Sequence, residues 1–129
     1  MAGKAIVVDT CILIDFFRKT DMSKLVLMSL VKENYTFCLS VISEYEIYSG
    51  ASADQRAYWE EFLEKTEVLP FDSKAVKVAL SINAHLKLKR KQIELADLFI
   101  AATAVAQKLP FAALNKKHFE RIDDLVIIG

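Results

Sequence analysis

Five short apolar, β-branched or aromatic runs recur along the chain, at residues 5–8 (AIVV), 35–40 (YTFCLS), 67–71 (EVLPF), 111–114 (FAAL) and 125–129 (LVIIG). Helix-patterned stretches separate the first four. Strands that alternate with helices need right-handed crossovers, which gives a mostly parallel sheet covered on both sides. The expected class is therefore α/β.

The helical stretches can be placed by their punctuation. Cys11 to Arg18 forms a short first helix, and Met22 to Lys32 a second with Leu25, Met28 and Leu30 or Val31 facing inward. Ser40 reads as the N-cap of a helix that passes through Glu46 and stops at Gly50. A further helix covers about Asp54 to Lys65. Pro70 closes the third strand, and Asp72 or Ser73 caps a long helix that runs into the basic stretch HLKLKRK. Residues 95–108 (LADLFIAATAVAQK) are apolar nearly all round and carry alanines suited to close packing on a sheet. Without a linker, repeat or low-complexity segment, residues 1–129 read as one domain.

Composition narrows the function classes. Seventeen basic residues balance seventeen acidic ones, so no global field draws the chain onto nucleic acid. The distribution is uneven. Seven acids between Glu44 and Glu67 face only Arg56 and Lys65, whereas Lys87, Lys89, Arg90 and Lys91 stand together without an acid. That basic run could grip RNA phosphates, but a solvated helix end, with cations complementing the dipole, is the reading preferred, by a narrow margin. No uncharged stretch approaches the ~20 residues of a membrane span, and the cytoplasm is the expected compartment. Cys11 and Cys38 lack zinc-finger spacing and read as buried, inert thiols. Trp59, Tyr35, Tyr45 and Tyr48 read as core or interface before they read as base-stacking platforms.

The first strand ends on a carboxylate, Asp9. In open parallel sheets functional groups collect beyond the carboxyl ends of the strands, although an Asp there can equally cap the next helix. Glu46 lies about two turns beyond Ser40. It could close a capping box with Ser43, but that box fails if Ser40 is the cap. Asp97 sits in the first turn of the alanine-rich helix, where the dipole favours an acid, yet its neighbours Leu95, Ala96, Leu98 and Phe99 place it against the sheet. Asn115 follows the fourth strand and reaches the same edge. His118 reads as a helix-start or surface histidine. Asp9, Glu46 and Asp97 in one place need a counter-ion, and carboxylate oxygens without Cys or multiple His suit Mg²⁺ or Mn²⁺. Hydrolysis of a phosphodiester is the chemistry such a set implies.

Four segments, VVDTCILID (7–15), LSVISEYEIYSG (39–50), LADLFIAATA (95–104) and ALNKKHFERI (113–122), together with VLPFD (68–72), resemble the PIN domains of small VapC-like toxin ribonucleases. The resemblance implies a three-layer α/β/α sandwich with strand order 3-2-1-4-5. It implies a metal set of Asp9, Glu46 and Asp97, with Thr10 and Ser43 as nearby hydroxyls and Asn115 at a fourth position. It also implies an RNA substrate, a homodimer and a cognate VapB-like antitoxin that blocks the acidic cleft. Three features depart from the family pattern. Asn115 brings no charge and Ala113 replaces a common Thr or Ser, while KRKQIE stands where a Gly- and Pro-containing turn is usual.

Two rival classes lack their residues. A phosphoacceptor domain wants an early acidic pair and a Lys after the last strand. A haloacid-dehalogenase-like phosphatase wants a second Asp where Cys11 stands. A PIN module that binds its partner without catalysis, or a standalone RNA-processing nuclease, remains as an alternative within the family.

Overall fold

The computed structural model describes residues 4–18, 21–114 and 116–128, without the side chains of residues 21–23. Its elements are β1 (Lys4–Val8), α1 (Thr10–Phe17), α2 (Asp21–Lys32), β2 (Tyr35–Ser40), α3 (Val41–Gly50), α4 (Ala53–Glu64), β3 (Glu67–Leu69), α5 (Ser73–Leu88), α6 (Leu95–Ala106), β4 (Phe111–Ala112) and α7 (Lys116–Phe119). The strands are all parallel, in the order β3-β2-β1-β4. The last expected strand contributes one parallel bridge, Ile127 to Phe111. It lies where a fifth strand would, beside β4, but Phe111 N–H to Val126 O and Ile128 N–H to Phe111 O are the only ladder bonds it makes among the described residues.

Alternation along the strands builds two cores. Val7, Cys38, Leu69 and Phe111 point to one face and meet Ala79, Ile82 and Leu86 of α5 and the buried side of α6. Ile6, Val8, Leu39 and Ala112 point to the other and meet Ile12, Leu27, Leu30, Ile47, Trp59 and Leu63 from α1 to α4. Strands buried on both faces are what the continuous apolar runs require. The result is the expected α/β/α sandwich. On α6, Ala101, Ala102 and Ala104 are fully buried, so the small side chains allow close approach of helix and sheet.

Helix ends follow the sequence signals. Ser40 accepts from Ile42 N–H at 3.1 Å, and Asp72 accepts from Ala75 N–H at 3.0 Å. Ser52 and Gln55 form a capping box on α4. Arg90 ends α5 with φ 56°, in a Schellman arrangement where Lys91 N–H reaches Leu86 O at 2.9 Å and Arg90 N–H reaches Lys87 O at 3.1 Å.

One expected face is corrected. Leu27 and Leu30 are the inward residues of α2, while Leu25, Met28 and Val31 are 67%, 51% and 60% exposed. Six of the seven residues from Leu25 to Val31 are apolar, so helical period alone could not choose between faces. Docking on α1 and β2 made the choice. Cys38 is buried as expected, but Cys11 is exposed.

Candidate active site

Asp9, Glu46 and Asp97 lie near enough to one another, beyond the carboxyl end of β1, for their charges to interact. β1 runs straight into Asp9, whose N–H bonds Ala112 O at 2.9 Å and so ties the end of β1 to β4. Asp9 stands at the N-cap position of α1, yet its side chain makes no capping hydrogen bond. The ordinary structural role for a strand-ending Asp is therefore not filled. The residue is 4% exposed, and its pKa is raised to about 7, first by burial and then by the charge of Asp97, with Glu46 adding to it. The Thr10 backbone N–H partly offsets this.

Glu46 is held by α1. The Thr10 hydroxyl donates to Glu46 Oε1 at 2.7 Å and lies 2.8 Å from Ser43 Oγ. Both hydroxyl residues are buried. Since Ser40 caps α3, the Ser43–Glu46 capping box does not form, and Glu46 turns to Thr10 instead. Behind this, Ser40 Oγ and Thr103 Oγ1 lie 3.1 Å apart, joining α3 to α6 inside the protein.

Asp97 occupies the first turn of α6, as read from the sequence. Its pKa is raised by burial, Glu94 and Glu46, and lowered by His118. The side chain that faces this half-buried acid is His118, with Nδ1 3.8 Å from Asp97 Oδ2. Sequence reasoning missed this partner. The available signal was position: α7 follows β4 at the same sheet edge, and Phe119, packed on Phe111 at a ring separation of 4.7 Å, fixes its rotation. Asn115 lies outside the described residues.

Asp9 thus feels the charges of Asp97 and Glu46, and Asp97 that of Glu46. Among the described residues, however, no three His, Cys, Asp or Glu side chains are drawn together as closely as one metal ion requires. Cys11 adds no nucleophile, because its thiol is pushed up to about 11 by desolvation and then by Asp9 and Asp15. Trp59 belongs to a packed group with Phe17, Tyr58 and Phe62.

Away from this edge, Leu13, Phe16, Leu27, Met28, Val31 and Phe62 line an apolar groove of about 290 Å³ between α1, α2 and α4. Among the described residues, no helix is long and apolar enough to cross a membrane.

The family pattern described as "PIN domain" matches residues 6–125. The chain belongs to the PIN-domain family. Its curated relatives include Ribonuclease VapC1 of Methanocaldococcus jannaschii, 32% identical over 120 residues, covering 92% of this chain and 82% of the relative. Ribonuclease VapC10 of Mycobacterium tuberculosis is 31% identical over 121 residues, covering 93% of this chain and 90% of the relative. Among solved structures, VapBC2 from Rickettsia felis, bound to a DNA fragment from its promoter, superposes with a TM-score of 0.79 at 25% identity. That match covers 96% of this PIN chain and 97% of the other.

Proposed function

We propose that this PIN domain is a metal-dependent endoribonuclease, the toxin of a toxin–antitoxin pair, in which Asp9, Glu46 and Asp97 hold Mg²⁺ or Mn²⁺ and Asn115 assists. The observation that carries this reading is Asp9: a strand-end carboxylate with no capping role, whose proton affinity is raised first by burial and then by two further acids. The relatives named as VapC ribonucleases support it.

The donor chemistry fits a hard cation. Carboxylate oxygens are its preferred ligands, and a divalent charge relieves the repulsion that lifts the Asp9 pKa. A bound ion of this kind would acidify a water and stabilise charge growing on a phosphodiester. This chain's own residues prepare the place. Thr10 and Ser43 orient Glu46, so that its carboxylate is presented from α3. His118 contacts Asp97, and Asp9 is buried.

A cognate antitoxin is the second half of the proposal. The solved neighbours include VapBC complexes, and the groove between α1, α2 and α4 suits an apolar segment of such a partner. Leu25, Met28 and Val31 extend its apolar surface, and exposed patches of this kind mark interaction sites. The homodimer implied by the family belongs to the same reading, and sedimentation would register it as twice the chain mass.

Cleavage of a total-RNA sample with and without Mg²⁺ or Mn²⁺ tests the enzyme. Asp9→Asn, Glu46→Gln and Asp97→Asn should each reduce cleavage at least a hundredfold. Cleavage by all three at the wild-type rate would refute the assignment. An antitoxin reading frame beside the gene favours the toxin over a standalone RNA-processing nuclease.

A further inference from the structure

We infer that RNA enters the acidic cleft over one flank only, along a cationic rim that the fold assembles from the end of α5 and the residues around α7. This rests on the ribonuclease reading and specifies how a polyanion reaches a site that is itself acidic. A phosphodiester approaching Asp9, Glu46 and Asp97 is repelled unless nearby cations offset the field, and the net charge of the chain is zero. The offset has to be local.

The two flanks differ in charge. On the α3–α4 side, seven acids from Glu44 to Glu67 meet only Arg56 and Lys65, and both bases are already paired, with Glu60 at 3.2 Å and Glu61 at 3.9 Å. That side repels RNA. On the other, Lys87, Arg90 and Lys91 are exposed and have no acidic partner among the described residues. Lys89 beside them is tied to Asp123 at 3.2 Å.

Tertiary structure connects this cluster to the site. Arg121 Nη1 donates to Gln92 O at 3.3 Å and lies 3.5 Å from Lys91 O, so the loop after α5 is braced against the segment that follows α7. The same α7 carries Lys117, exposed, and His118, whose imidazole touches Asp97. Lys91 and Asp97 are six positions apart, a span of at most about 21 Å, which a few nucleotides cover, with Glu94 the one acid between them.

The probe is a fluorescein-labelled, mixed-sequence, single-stranded RNA 12-mer, bound by the full chain carrying Asp9→Asn so that RNA survives, with anisotropy read over a KCl series. The variant Lys87→Gln/Arg90→Gln/Lys91→Gln should weaken binding at least tenfold at low salt. It should also reduce the slope of log K against log[KCl] by about 2, from 0.7 per lost phosphate contact on single strands. A comparison variant, Lys24→Gln/Lys32→Gln/Lys65→Gln, removes the same charge from α2 and the end of α4 and should stay within twofold. Equal losses in the two variants, no loss in the first, or no binding by the parent protein would overturn the rim. Because binding is read without cleavage, an inactive wild-type enzyme with an intact rim, or an active enzyme without one, would be told apart.

Discussion

The hydroxyl of Thr10 donates to the carboxylate of Glu46 at 2.7 Å across 36 residues of chain. This bond links the start of α1 to the middle of α3, and it fixes one acid of the site by means of the residue that follows another. Replacement of Thr10 by Val keeps the shape and removes the donor. Stability should fall by about 1 kcal/mol, the usual net value of such a bond. RNA cleavage should fall about 10- to 100-fold, the usual cost of losing a residue that orients a ligand. Thr10→Ser should restore most of the activity; an active Thr10→Val enzyme would remove the positioning role.

The raised pKa of Asp9 predicts a pH dependence of the metal-free protein. In the unfolded chain this carboxyl titrates at 3.8, and in the folded chain at about 7. Between those values the folded state retains a proton that the unfolded state has released, so stability falls as pH rises through the window and levels off above it. Urea melts in EDTA at pH 5 and pH 8, compared with those of Asp9→Asn, isolate this contribution. The wild type should lose more stability than the variant on going to pH 8. A wild type that gains relative to the variant would contradict the assignment of the shift.

Addition of Mg²⁺ or Mn²⁺ should reverse that loss. At 100 times its dissociation constant, an ion that binds only the folded chain adds about 2.7 kcal/mol. The rise in Tm should vanish in Asp97→Asn, and an unchanged Tm at millimolar ion would remove the metal from the proposal.

Met28 lines the apolar groove and is half exposed, so Met28→Asp places a charge there at little expense to the core. Co-purification with the product of the neighbouring reading frame should be lost, while RNA cleavage by the free protein persists. Retained co-purification would place the partner elsewhere.

Arg90 and Lys108 both end helices in the left-handed conformation, α5 and α6 respectively, with φ 56° at each. Leu109 N–H bonds Ala104 O at 3.0 Å, the counterpart of the Lys91 to Leu86 bond. Glycine at either position should stabilise the fold by about 0.5–1 kcal/mol by relieving the Cβ clash. Only Arg90→Gly should also weaken RNA binding. Equal effects of the two on binding would detach Arg90 from the substrate path.

Local signals carried much of the fold. Alternating strand and helix patterns placed the three layers, and Ser40 and Asp72 cap their helices. Such features depend on neighbours a few residues apart, and the sequence displays them directly. The chain also displays by itself which acids follow strands or open helices, Asp9 after β1 and Asp97 at the start of α6.

Tertiary structure decided the rest. It turned Leu27 and Leu30 of α2 inward and left Leu25, Met28 and Val31 outside, because a nearly all-apolar stretch has no preferred face until its neighbours dock. It reduced the last strand to a single bridge and exposed Cys11. It set His118 against Asp97 and Thr10 against Glu46, pairings between residues 21 and 36 positions apart, which no local period encodes. Charge interactions act through space, and only the folded chain fixes the distances on which they depend.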